Sequence, residues 1–183
     1  MIRIISGKYK GRRIKAPKKL PVRPTTDMAK EALFNILRNT YYFTNLQVLD
    51  LFAGTGNISF EFASRGTVDI TAVDSHFACV QFISKIAKEF EFNITTIKSD
   101  VFKVLERLSR SYDVIFADPP YDLAQSEFVK ISERVFDNKL LNPEGLLIIE
   151  HSKHTVLNDA PYYQETRKYG GSAFSFFKAT MVE

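Results

Sequence analysis

Gln47-Val48-Leu49-Asp50-Leu51-Phe52-Ala53-Gly54-Thr55-Gly56-Asn57-Ile58-Ser59 joins an apolar run to a turn with two glycines and the start of a second apolar-rich segment. Gln47–Phe52 reads as an apolar strand, Asp50–Asn57 contains a turn with two glycines, and Asn57–Ser64 reads as the helix that follows. Glycines let such a turn close tightly and approach a ligand, and the free N–H groups of the helix start lie beside it. A Gly-x-Gly turn between strand and helix is common to several nucleotide-binding folds. The dinucleotide fingerprint requires a third glycine, where this chain has Ser59. Asp50 would repel a pyrophosphate and suits an ammonium-bearing ligand.

Outward from this stretch the pattern alternates. Strand-like runs at Asp69–Val73, Asn93–Lys98, Tyr112–Ala117 and Gly145–Glu150 are separated by helix-like stretches at Phe77–Phe90, Val101–Ser109 and Ala124–Asn138. Apolar strands alternating with helices predict a mostly parallel sheet covered on both faces. Upstream, Thr25, Thr26 and Asp27 offer N-caps for a helix over Met28–Arg38, with Ala32, Leu33, Ile36 and Leu37 on one stripe. Downstream, Tyr162–Tyr169 and Ala173–Val182 flank Gly170-Gly171 and predict an antiparallel pair at one edge.

Three carboxylates close three successive strands. Asp74 lies twenty positions beyond Gly54, where an acid can accept from both hydroxyls of a ribose. Asp100 can accept from an adenine amino group, with Val101 and Phe102 flanking the ring. Either acid alone could be an ordinary helix N-cap, but three beside a glycine loop point to a nucleoside site. The run Val114–Ala117 then ends in Asp118-Pro119-Pro120-Tyr121. Two prolines stiffen that turn and remove two donors. The Asp118 carboxylate and the Pro119 carbonyl can both accept from one amino group, and Tyr121 offers a face for a stacked base.

Charge is unevenly spread. Residues 1–24 contain nine cations and no anion, so the remaining residues sum to −5 within a chain of net +4. Those cations alternate with Ile2, Ile4, Ile5, Tyr9 and Ile14, which predicts strands at Ile2–Ser6 and Gly11–Ala16 in a hairpin, followed by a linker at Pro17, Pro21 and Pro24. A basic arm on an acidic body suits a polyanion. The loop and its carboxylates lie elsewhere in the sequence, so the arm is expected to be separable from the small-molecule site. One cysteine, Cys79, excludes a disulfide framework and suggests a reducing compartment. The first twenty residues have no apolar segment of signal-peptide type, and no apolar run reaches membrane-spanning length. His76, His151 and His154 are too scattered for metal ligation, and no metal is expected.

Asp50–Asn57 together with Asp118–Tyr121 resemble motifs of class I amino-group methyltransferases acting on nucleic acid. Arg3-Ile4-Ile5-Ser6-Gly7, Lys10-Gly11-Arg12, Arg23-Pro24-Thr25, Lys30–Leu37 and Ser64-Arg65-Gly66 are similar to the bacterial 16S ribosomal RNA guanine-N2 methyltransferases. The resemblance runs from residue 2 to about residue 150. It departs at Ser59, where that family usually has glycine, at Asp74, often glutamate, and at Met28, commonly basic.

The resemblance implies a Rossmann-like class I methyltransferase fold: an α/β architecture with a seven-stranded, mostly parallel sheet, an antiparallel C-terminal edge strand and a small N-terminal β-hairpin. It implies one domain over 1–183, with residues 1–24 as the arm and 25–183 as the body. S-adenosyl-L-methionine is the implied cofactor, held by Asp50, Phe52, Ala53, Gly54, Thr55, Gly56, Asp74, Ser75, Asp100, Val101 and Asp118. Asp118, Pro119, Pro120 and Tyr121 are the implied catalytic set. Arg3, Lys8, Lys10, Arg12, Arg13, Arg23 and Thr25 are the implied RNA contacts. Ribosomal RNA or the small ribosomal subunit is the implied partner, acted on by a cytoplasmic monomer. An adenine-N6 methyltransferase shares the same chemistry, although the chain has no evident target-recognition domain. An NAD(P)-binding oxidoreductase is opposed by Ser59 and the Asp118 motif. A bare RNA-binding module has no need of Gly54, Gly56 or Asp118.

Overall fold

The computed structural model describes residues 1–20 and 25–179. Pro21, Arg23 and Pro24 of the expected linker lie outside the described residues.

A seven-stranded sheet is built from β3 (Gln47–Leu51), β4 (Asp69–Asp74), β5 (Ile94–Lys98), β6 (Tyr112–Ala117), β7 (Leu141–Ser152), β8 (Tyr163–Tyr169) and β9 (Ser172–Phe177). Their spatial order is β5-β4-β3-β6-β7-β9-β8. The first five are parallel; β9 runs antiparallel to both β7 and β8. The last strand in sequence is therefore inserted beside β7, and β8 forms the outer edge. A short hairpin of β1 (Ile2–Arg3) and β2 (Arg13–Ile14) stands apart.

Both faces of the sheet are buried, as the unbroken apolar strands require. Along β6, Val114 and Phe116 join a core formed with α1 (Asp27–Leu37) and α2 (Asn57–Ser64). Ile115 and Ala117 join the opposite core with α4 (Val101–Arg107) and α5 (Gln125–Asp137). The thirteen-residue α3 (Phe77–Glu89) covers the β4–β5 side and buries Cys79, so that residue is core.

The chain leaves β3 toward β4 and β5, then returns to β6 on the other side of β3. Between β3 and β6 the winding direction reverses, and such a switch point opens a crevice beyond the carboxyl ends of the strands. Asp50–Gly56 leaves β3 and Asp118–Tyr121 leaves β6 at that crevice. The Asp118 N–H donates to the Leu51 carbonyl at 3.2 Å, so the two segments begin side by side.

The largest boundary differences from the sequence-based expectation fall in β9, β7 and the two strands of the arm. β9 is Ser172–Phe177 against the expected Ala173–Val182, because its partner β8 begins at Tyr163, opposite Phe177; Thr180, Met181 and Val182 lie outside the described residues. β7 begins at Leu141, earlier than the Gly145–Glu150 run, because the strand continues through a register shift opposite Tyr112/Val114. Pro143, and Glu144 at a φ of 64°, hide that continuity. β1 and β2 are two residues each, shorter than the expected Ile2–Ser6 and Gly11–Ala16. The reason is chemical: the Ile5 and Ser6 N–H groups donate to the Glu61 carboxylate at 2.8 and 3.0 Å, not to a strand partner. At Gly7, φ is +86° and a Cβ would sit 1.9 Å from the Ser64 carbonyl oxygen, so only glycine lets the arm lie this close to α2.

The arm is consequently not a tail. Ile2, Ile4 and Ile14 are buried in a third core with Phe60, Phe82, Ile83 and Phe90. Lys30, in α1, is fully buried and donates to the Arg3 carbonyl at 2.6 Å. Among the described residues, no helix is long and apolar enough to cross a membrane, and no group of three or more His, Cys, Asp or Glu side chains could hold a metal ion.

Candidate active site

A cavity of about 390 Å³ occupies the switch-point crevice. The glycine loop forms one wall. Gly54 and Gly56 have φ of 55° and 77°, and Phe52 is held at 58°, a left-handed conformation that costs a bulky residue of order 1–3 kcal/mol unless its surroundings impose it. The loop is held by the Ala53 N–H, which donates to the Val73 carbonyl at 2.9 Å, and by Asp74, whose Oδ2 accepts the Gly54 N–H and whose Oδ1 accepts the His76 N–H, both at 2.8 Å. Asp74 thus braces the loop as well as lining the cavity.

Asp50 is braced from the other side. Its Oδ2 accepts the Ser59 hydroxyl at 2.6 Å and the Ser59 N–H at 3.2 Å. Burial pushes the Asp50 carboxyl up to about 7, partly offset by those two hydrogen bonds and reinforced by the neighbouring Asp74. Ser59, where the resemblance leads one to expect glycine, therefore supplies a bond that glycine could not.

Asp50, Phe52, Ala53, Gly54, Thr55, Asp74, Ser75, Asp100, Val101 and Asp118–Tyr121 all line the cavity. Gly56 does not. It turns the chain into α2 at the N-cap, where a Cβ would meet Ile83 and Phe60 at 2.9 Å, so its part is to shape the loop. Asp100 also caps α4, accepting the Lys103 N–H at 3.1 Å. One carboxylate has several acceptor positions, so the cap does not use up the capacity of Asp100 to accept from a ligand in the cavity.

Thr25, expected among the RNA contacts, is buried in the cavity wall. Its hydroxyl donates to Glu150 Oε2 at 2.6 Å and its carbonyl accepts from Asn57 Nδ2 at 3.2 Å. The six expected contacts Arg3, Lys8, Lys10, Arg12, Arg13 and Arg23 divide differently: the first five are exposed on the arm, and Arg23 lies outside the described residues.

Sequence reasoning missed Asn57, Ile58, His76 and Phe116 on the wall, and Glu150 behind it. Asn57 follows the glycine loop directly and its position was the available signal. Glu150 ends the apolar run Leu146–Ile149 at the crevice, and a buried acid closing a strand there was the other. Tyr121 lines the cavity and its hydroxyl shares a hydrogen bond of 2.7 Å with Ser172.

Among the described residues, the lining contains Asp50, Asp74, Asp100 and Asp118 and neither Lys nor Arg. Such a cavity attracts a cation and repels a pyrophosphate. The described cations of the arm, in contrast, are all exposed. One molecule thus offers a small cationic-ligand site and a polyanion surface, joined through Lys30, which donates to Asn57 Oδ1 at 2.8 Å.

The Conserved hypothetical protein 95 family model matches residues 2–178 of the chain. The chain belongs to that family. It is 31% identical over 162 residues to the Ribosomal RNA small subunit methyltransferase D of Escherichia coli K12, covering 87% of this chain and 79% of that one. It is 30% identical over 171 residues to the protein of the same name from Buchnera aphidicola subsp. Baizongia pistaciae, covering 84% and 87%. Among solved structures, a hypothetical protein of Thermus thermophilus superposes with a TM-score of 0.84 at 25% identity, over 98% of this chain and 100% of that one. A putative methyltransferase of Escherichia coli also superposes with a TM-score of 0.84 at 25% identity, over 98% of this chain and 99% of that one. The family member is thus built as the resemblance implied, with the mostly parallel seven-stranded sheet and antiparallel C-terminal strands of a class I methyltransferase.

Proposed function

We propose that this family member is an S-adenosylmethionine-dependent methyltransferase acting on the exocyclic N2 amino group of a guanine in small-subunit ribosomal RNA. The observation that carries the reading is the four-carboxylate cavity, free of Lys and Arg among the described residues, at the switch point between β3 and β6. The donor set fits the cofactor. Asp50 suits its ammonium, Asp74 the ribose hydroxyls, and Asp100 with Val101 the adenine. The relatives' name supports ribosomal RNA as the substrate class. On this reading residues 1–183 act as one cytoplasmic unit, with 1–24 as its RNA-facing arm.

When bound, S-adenosylmethionine supplies a methyl group on a sulfonium that is its own leaving group. The work left to the protein concerns the nucleophile. An exocyclic nitrogen shares its lone pair with the ring and attacks poorly. Asp118 and the Pro119 carbonyl can accept its two hydrogens, pull it toward tetrahedral geometry and stabilise the positive charge it gains. Pro119 and Pro120 lack N–H groups, so the turn presents acceptors without competing donors. Tyr121 offers the ring face on which the target base stacks, which requires that base to leave its own stack. No strong base is needed, because the methylated ammonium loses its proton readily to the carboxylate or to solvent.

The reading is tested by incubating the protein with methyl-labelled S-adenosylmethionine and either free 16S rRNA or small subunits, followed by nucleoside analysis. N2-methylguanosine is the expected product. N6-methyladenosine would replace guanine by adenine within the same mechanism, and no labelled nucleoside would end the reading.

A further inference from the structure

The geometry points to Ser172 as a positioning residue for the target base: it holds the Tyr121 ring, and so makes the C-terminal hairpin part of the base subsite. This inference rests on the proposed amino-group methylation and goes beyond it.

Tyr121 sits in the irregular segment between β6 and α5, where two prolines have removed backbone donors. It belongs to no strand. Its hydroxyl instead meets the Ser172 hydroxyl at 2.7 Å across 51 positions of sequence. Ser172 is 6% exposed and opens β9. It is paired on both sides, with Ser152 of β7 and with Tyr169 of β8, so its backbone is tied to two strands. The tyrosine hydroxyl lies on the axis of the second side-chain torsion, so tying it to such a point fixes the first torsion and the direction in which the ring extends. Stacking requires the ring to stand where the base enters, so that bond selects which base pose can form.

The same ladder braces a second wall. Ser152 and Glu150 lie two apart on β7 and therefore on one face of the sheet. Directly opposite residues of antiparallel strands share a face, which puts Ser172 on it too. Glu150 holds Thr25 there. The β7–β9 pair thus braces two lining residues of the cavity, Thr25 through Glu150 and Tyr121 through Ser172.

The test is a double-mutant cycle of Tyr121→Phe and Ser172→Ala, with Ser172→Thr as the variant that keeps the hydroxyl. Single-turnover methyl transfer to 16S rRNA is measured at limiting and saturating RNA. Affinity for a fluorescein-labelled oligonucleotide with one unpaired guanine is measured by anisotropy in the presence of S-adenosylhomocysteine, whose own affinity is measured by calorimetry. Each single variant is expected to lose about twofold to tenfold in RNA affinity and in kcat/KM, the range for one hydrogen bond. The double variant should lose no more than either single one, Ser172→Thr should restore the loss, and S-adenosylhomocysteine affinity should stay unchanged. Multiplicative losses, or wild-type behaviour of Tyr121→Phe, would overturn the assignment. Should Ser172→Ala not fold, Tyr121→Phe leaves β9 intact and decides alone. A wild-type protein that transfers no methyl group would defeat the proposed function, whereas the anisotropy cycle would still decide the role of Ser172.

Discussion

Lys30 Nζ lies 3.2 Å from Glu61 Oε2, and both side chains are wholly screened from solvent. Glu61 also accepts the Ile5 and Ser6 N–H groups and pairs with Arg65 at 2.9 Å. Lys30 also donates to Arg3 and Asn57. Burial lowers the Lys30 pKa below its ordinary 10.5 even though Glu61 raises it. The arm, the helix after the glycine loop and the cavity wall therefore meet at one buried ion pair.

Breaking that pair strands a charge. Lys30→Met and Glu61→Leu should each destabilise the protein by about 3–5 kcal/mol, and the double variant by less than the sum. Denaturant titration followed by circular dichroism reads this. Losses under about 1 kcal/mol would mean that Glu61 is satisfied by Arg65 and the arm backbone alone. Deleting the arm should be as damaging, since it exposes the core surface that Ile2, Ile4 and Ile14 cover, about 1.5–3 kcal/mol for each such side chain. The separable arm expected from sequence is not what the chain builds.

A gentler variant isolates the charge. Lys8, Lys10 and Arg13 are exposed, and replacing them with glutamine leaves the anchoring isoleucines in place. RNA affinity should fall and its salt dependence should flatten, while S-adenosylhomocysteine affinity stays the same. The slope of log affinity against log salt should shrink by roughly 0.7–0.9 for each phosphate that the variant no longer neutralises. An unchanged slope would move the RNA surface elsewhere.

The buried Asp50 carboxyl, at about 7 in the folded protein and 3.8 ordinarily, makes two quantities depend on pH. Between about pH 4 and 7 the unfolded chain ionises Asp50 more readily than the fold does. Its contribution to stability is therefore complete below about pH 4 and lost as pH rises toward 7. Asp50→Asn should remove that decline, at most about 1.4 kcal/mol per pH unit. An ammonium-bearing ligand favours the carboxylate, so S-adenosylhomocysteine should bind more tightly as pH rises from about 6 through 7, with proton release on binding in that range. Calorimetry in two buffers of different ionisation enthalpy detects that proton. Equal heats in both buffers would separate Asp50 from the ligand's ammonium.

How far the sequence shows all this follows from distance along the chain. Strand and helix periods, the glycine turn and the Asp118-Pro119-Pro120-Tyr121 turn are local, and each is legible within a short window. The braces are not. Thr25 and Glu150 stand 125 positions apart, Tyr121 and Ser172 stand 51 apart, and Ile5 and Glu61 stand 56 apart. No local pattern links them, and for that reason the sequence alone offers Thr25 as a helix cap and, by resemblance, an RNA contact, and not as a cavity wall. Pro143 and Gly145 resemble a turn, which shortens β7 when only the sequence is read, whereas the chain crosses them as an irregularity within one strand.

On the proposed mechanism Asp118 serves the amino nitrogen as it gains charge. Asp118→Ala removes the carboxylate and leaves the two prolines and Tyr121 in place. The direct measurement is single-turnover methyl transfer at saturating RNA and saturating S-adenosylmethionine, with folding of the variant checked by circular dichroism. The rate should fall about a hundredfold to a thousandfold, equivalent to roughly 2.7–4 kcal/mol of transition-state stabilisation. A folded Asp118→Ala protein that transfers methyl at the wild-type rate would contradict the amino-group mechanism.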